Sequence, residues 1–145
     1  MRYHARMDPV QTAHLTLVCL WGGLVLGELL VEATANDDET RAHASRLHFW
    51  MDALWEIPLL CGVVATGAYL AWRAWPLTSW HVVKIALAAG ALACNAWCVV
   101  LVLQRRHATG EALRHLSTRI RWTGVGVPLG LAALYLGFAF FHRAP

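Results

Sequence analysis

Charge is too sparse in this chain for an ordinary water-soluble domain. Asp, Glu, Lys and Arg make up 14% of its 145 residues, 58% are hydrophobic, and the mean hydropathy is +0.46. A net charge of +3 gives no basis for a nucleic-acid partner. A disulfide framework is missing as well: Cys19, Cys61, Cys94 and Cys98 all fall inside apolar runs, where they read as small buried residues. No small-residue cleavage site follows the first apolar run, and Glu28 and Glu32 interrupt its end. It therefore reads as a retained helix rather than a signal peptide. The Glu-x-x-His signature of helix-bundle dimetal proteins is also lacking.

What the chain has instead is apolar length. Runs cover approximately 10–34, 46–72, 79–104 and 119–141. Each reaches the ~20 helical residues that cross a hydrocarbon core. Trp72, Trp75 and Trp80 flank the second connection as an interfacial belt would, and Pro76 breaks the helical pattern there. The expectation is one all-α domain over 1–145, an integral membrane four-helix bundle with up-down-up-down topology. Arg2, Arg6, Arg73 and Arg143 lie on the side of the termini. Arg41, Arg46, Arg105, Arg106, Arg114, Arg119 and Arg121 lie on the other. The positive-inside rule then sets the termini outside the cytoplasm.

Four of the nine acidic residues sit within or at the edge of these runs: Glu28 and Glu32 late in the first, Asp52 and Glu56 early in the second. A carboxylate at mid-membrane depth costs roughly 2.5–3.5 kcal/mol on insertion scales, so something must offset it. Counting back from the turns at 1.5 Å per residue sets Glu28 level with Asp52 and Glu32 level with His48. Glu56 comes a turn deeper beside Asn95, and Cys98 lies close to Asp52. His14, Trp21, Glu28 and Glu32 share a sector of roughly 40° on the first helix, and His48, Asp52 and Glu56 step by i,i+4 on the second. Charged groups must turn into the bundle rather than toward lipid. His14 shares the face but not the layer. It lies roughly 21 Å from Glu28 along the helix, level with Lys84 and near His81 and His142.

Three readings fit the acidic layer. In the first, Glu28, Glu32, His48, Asp52 and Glu56 hold a metal ion or a dinuclear pair of iron, manganese, copper or zinc, with Asn95 and Cys98 in support. The protein is then a redox-active oxidoreductase, with a small or apolar substrate arriving from the lipid. In the second, the carboxylates share protons along a proton or cation path. In the third, Arg46, Arg119 and Arg121 neutralise them structurally. Glu32, nearest to water, is the weakest candidate ligand. Gly23 and Gly27 form a GxxxG pair that permits close helix contact, within the bundle or across a homodimer.

The chain also resembles a known group. His14 with Trp21-Gly22-Gly23-Leu24, the Pro-centred stretch Glu56-Ile57-Pro58 to Thr66-Gly67, and His81-Val82-Val83-Lys84 are similar to four-helix bacterial membrane proteins. These are the haem-binding protoporphyrinogen oxidases and the copper-resistance D-like domains. The resemblance implies the bacterial inner membrane, and haem b with His14 as axial ligand and Lys84 near the propionates. Glu28 and Glu32 stand where the oxidase pattern has an arginine, and Asn95 and Cys98 where it has a histidine-containing core.

Overall fold

The computed structural model describes residues 8–141, and every regular element among them is a helix. Helix α1 spans Pro9–Thr34, α2 Asp38–Met51, α3 Ile57–Arg73, α4 Ser79–Arg105, α5 Gly110–Thr123 and α6 Gly126–Phe141. A π-helical stretch, Asp52–Glu56, joins α2 to α3 without a break, and α5 runs into α6 through a turn at Gly124 and Val125. The result is four long helical segments, Pro9–Thr34, Asp38–Arg73, Ser79–Arg105 and Gly110–Ala139, each long and apolar enough to cross a membrane.

The ends follow from local chemistry. Asp8 caps α1 by accepting from the Val10 amide at 2.9 Å, with Pro9 in the first turn where its missing N–H costs nothing. The second segment starts at Asp38, two turns before the apolar run at 46, because Asp37 and Thr40 form a reciprocal capping box. The last segment starts at Gly110, well before 119, where the φ of +56° at Gly110 itself suits glycine. These two polar extensions are tied together by Arg114, whose Nε and Nη2 donate to both Asp38 oxygens at 3.0 and 2.7 Å. Apolar periodicity cannot announce segments of this kind.

The π-helical stretch has a cause in Pro58. Proline has no N–H to donate, and its ring would crowd the Leu54 carbonyl in a regular helix. The turn widens, and the Ile57 amide reaches back five residues to the Asp52 carbonyl. The smaller rotation per residue brings Glu56 back toward the line of His48 and Asp52, instead of about 40° past it.

Contacts along α1 run in order against the second segment: Asp8 with Arg73, His14 with Thr66, Leu17 with Gly62, Trp21 with Glu56 and Glu32 with His48. Partners fall in number on one segment as they rise on the other. The third and fourth segments pair likewise: Lys84 with Gly137, Gly90 with Leu129, Cys94 with Gly126 and Arg105 with Ser117. A Cβ on Gly126 would come within 2.9 Å of the Cys94 Cβ, so α6 needs glycine there to lie so close to α4.

Burial is inverted relative to a water-soluble bundle. Among the described residues the buried set holds nine polar or charged side chains against eight hydrophobic ones, four of the latter alanine. Outside lie Leu30, Trp55, Trp72, Trp75, Trp122 and Tyr135, all more than 60% exposed. The small hydrophobic cluster of Leu101, Val102 and Ile120 sits beside the polar interior.

Candidate metal centre

The inward face of α1 meets the second segment as the depth count expects. His48 is 2% exposed and stands among three of the four acids. Its Nδ1 lies 2.7 Å from Glu32 Oε1, while its Nε2 lies 3.7 Å from Glu28 Oε2 and 3.5 Å from Asp52 Oδ1. Glu56 sits deeper and accepts from the Trp21 indole N–H at 3.0 Å. All four carboxylates are at most 4% exposed.

The cation in this layer is Arg105, which its place beside Arg106 at the end of an apolar run suggested to be a surface flank. It is 1% exposed. Its Nη1 and Nη2 donate to Glu32 Oε2 and Oε1 at 2.7 and 2.6 Å, a two-pronged grip, and Nη1 also reaches Ser117 Oγ at 3.3 Å. Arg106, one residue on, instead lies over the Phe49 ring at 4.4 Å. The arginines expected to neutralise the acids lie elsewhere. Arg119 stands over Trp97, Arg121 donates to the Ala35 carbonyl at 2.9 Å, and Arg46 is exposed. Glu32, expected nearest to water, is 2% exposed and bound to both Arg105 and His48.

This pairing assigns roles. A carboxylate gripped by a guanidinium is ionised and can only accept, so His48 Nδ1 carries the proton toward Glu32. Nε2 is left facing Glu28 and Asp52. A ligand histidine fixed through its other nitrogen by a carboxylate is the recurring arrangement around protein-bound metals. Glu28, His48 and Asp52 each offer one ligand atom, and these atoms lie within 4.8 Å of one another. The separations of 3.5 and 3.7 Å are too long for hydrogen bonds. They are close to the ~3.3–3.6 Å that separates ligands around a tetrahedral ion with bonds of about 2.0–2.2 Å. Glu28 Oε1 and both Asp52 oxygens are buried without a hydrogen-bond partner. Four carboxylates against one guanidinium leave three negative charges before any proton or metal is counted.

Glu32 and Glu56 belong to the layer but not to this triad, since each is already occupied by Arg105 or Trp21. Cys98 Sγ lies 4.0 Å from His48 Nε2. Asn95, expected to support the ligands, is buried with its Nδ2 unpartnered. The face Ala91, Asn95, Cys98, Val102 and Arg105 repeats at i+3 and i+4, so helical spacing from Asn95 is the signal by which Arg105 could have been found.

A cavity of about 370 Å³ adjoins the triad. Glu28, Glu32, His48, Asn95 and Cys98 line one part of it, and apolar residues of α1, α4 and α6 line most of the rest. His14 is not among its walls. Its Nδ1 lies 2.8 Å from Thr66 Oγ1, and its ring edge rests where a Cβ on Gly67 would be only 3.2 Å away. Lys84 reaches Gly137 on α6. His81 is exposed and pairs with Thr78, while Arg2, Arg6, His142 and Arg143 lie outside the described residues. Within the chain no helix backbone packs on Gly23 or Gly27: nothing lies within 4 Å of a Cβ on Gly23, and only the Met51 side chain approaches Gly27. No family model matches this chain, and neither a curated protein nor a solved structure does.

Proposed function

We propose that the protein is an integral membrane metalloprotein, its four apolar helices forming an up-down-up-down bundle. In this reading it resides in the bacterial inner membrane with its termini outside the cytoplasm. One divalent ion of iron, manganese, copper or zinc would be held by Glu28, His48 Nε2 and Asp52, beside the cavity. The observation that carries this is the geometry at His48. Two carboxylates stand at ligand-to-ligand rather than hydrogen-bond distance from a nitrogen whose ring is already oriented through Glu32. Orphaned oxygens on both carboxylates and the uncompensated negative charge support it. Lipid takes the place of water around the exposed Leu and Trp residues, which makes a polar interior the expected arrangement.

The ligand set of one imidazole and two carboxylates suits iron, manganese or zinc, and with iron or manganese the protein is a redox-active oxidoreductase. One ion fits better than two, because Glu32 and Glu56 already have partners. A continuous proton path has less behind it. Between the Trp21–Glu56 and His14–Thr66 pairs, the apolar Leu17 side chain packs on Gly62, whose carbonyl accepts from the Thr66 hydroxyl at 2.7 Å. A haem b held by His14 would not share the cavity of the acidic layer, since His14 is not among its walls.

Elemental analysis of detergent-purified protein, after exposure to each metal in turn, tests the proposal. About one ion per chain is expected, and Asp52→Asn and Glu28→Gln should each abolish it without loss of helicity. A folded wild type that retains none of the four metals sinks the reading. A Soret band lost in His14→Ala would transfer the function to haem.

A further inference from the structure

The cavity beside the triad is asymmetric in a way that describes its occupant. Glu28, Glu32, His48, Asn95 and Cys98 line it beside the triad, Arg121 and Thr123 of α5 add two further polar residues, and most of the remaining walls are Val, Leu, Ala and Gly with Trp21 and Ile120. Leu26 of α1 and Leu131 of α6 both line it and are 46% and 57% exposed, so they mark its mouth. That mouth lies between α1 and α6, which touch little because α1 packs mainly on α3 and α6 mainly on α4. Two glycines hold it open. Gly22 and Gly23 line the cavity, and a Cβ on either would meet nothing within 4 Å. Inside, Asn95 is 9% exposed and its Nδ2 has no acceptor. Asn95 lines the cavity, and a buried amide N–H at such a wall needs an oxygen to receive it, which a ligand head can supply once the amide turns toward it.

We infer that the cavity binds a lipid-soluble molecule with an oxygen-bearing ring head, of the phenol or quinone class. It is admitted sideways between α1 and α6, and its head oxygen accepts from Asn95 Nδ2 beside the metal triad. The inference rests on the proposed metal centre for what the head meets, whereas the cavity and Asn95 stand independently of it. The apolar walls take the ring and tail, and a volume of about 370 Å³ falls within the range of small-molecule pockets. The exposed Leu26 and Leu131 at the mouth suit a molecule drawn from lipid rather than from water.

The test measures binding of 4-hexylphenol and of hexylbenzene to the detergent-purified chain by titration calorimetry, with metal content measured in parallel. One saturable phenol site is expected, about 10-fold tighter than hexylbenzene. Asn95→Leu should erase that preference. Gly22→Leu should weaken both ligands at least ~10-fold while metal content stays at the wild-type level. Gly23→Leu serves as the second plug if Gly22→Leu fails to fold. Non-saturable partitioning of phenol into the wild type overturns the inference, as does unchanged binding in the folded plug variants or a preference that survives Asn95→Leu. If the wild type takes up metal but binds no phenol, this inference fails and the metal centre stands. Saturable phenol binding to a chain that takes up no metal supports the inference and overturns the metal centre.

Discussion

Replacing Arg105 by methionine should be among the most damaging single changes available in this protein. The guanidinium is fully enclosed, and it supplies Glu32 with two charge-assisted hydrogen bonds of 2.6 and 2.7 Å. Methionine fills similar volume but leaves Glu32 buried with only His48 as donor. Stranding one member of a buried ion pair costs about 3–5 kcal/mol, a large part of the 5–15 kcal/mol typical of a whole domain. The double variant Arg105→Met/Glu32→Gln removes both charges and keeps an amide oxygen for His48 Nδ1. It should recover more than half of the loss, because the penalty lies in the unpaired charge rather than in the missing contact. Equilibrium unfolding in mixed detergent micelles, followed by tryptophan fluorescence and helical dichroism, measures both. A cost below ~1 kcal/mol for the single variant, as for a solvent-screened pair, would refute the reasoning. So would a double variant no more stable than the single.

Other outcomes follow from the same contacts. Glu32→Gln alone should weaken metal binding about 10- to 100-fold, since it loosens the group that orients His48; competition with a chelator reads this, and unchanged affinity would sever Glu32 from the site. Trp21→Phe leaves Glu56 Oε1 buried without its donor and should cost about 1–3 kcal/mol in the same unfolding assay. Asp37 gives a pH dependence: backbone hydrogen bonding from Thr40 holds its carboxyl below the ordinary value. A lowered folded-state value means that its contribution is fully present above the unfolded value, near pH 4, and lost as pH falls through the folded one. Asn caps without titrating, so Asp37→Asn should show less loss of stability than wild type between pH 5 and 3.

The residues that meet in the acidic layer were accessible to counting. A rise of 1.5 Å per residue and a rotation of 100° bring Glu28 level with Asp52 and Glu32 level with His48 on facing sides of two helices, and the described contacts join the four in one layer around His48. The same arithmetic found Trp21 on the face of Glu28, though not its bond to Glu56. Arg105 escaped because the count treated it with Arg106 as a charged flank. The two differ by one residue and hence by about 100° of rotation, which sends one inward to Glu32 and the other over Phe49. The π-helical stretch escaped because Pro58 was read as a feature of the helix rather than as a cause of its widening.

By itself the sequence determined that the chain is helical, that four stretches are long enough to cross a membrane, and that costly acids gather at one depth. These depend on hydropathy, length and the fixed geometry of the helix, all of which are local. Only the tertiary structure decided which acids are already spoken for. Arg105 from α4 claims Glu32, and Trp21 from α1 claims Glu56, so Glu28 and Asp52 are left to face His48 with oxygens unpaired. Whether a carboxylate is a free ligand or half of an ion pair depends on a partner dozens of residues away, and no local pattern carries that information.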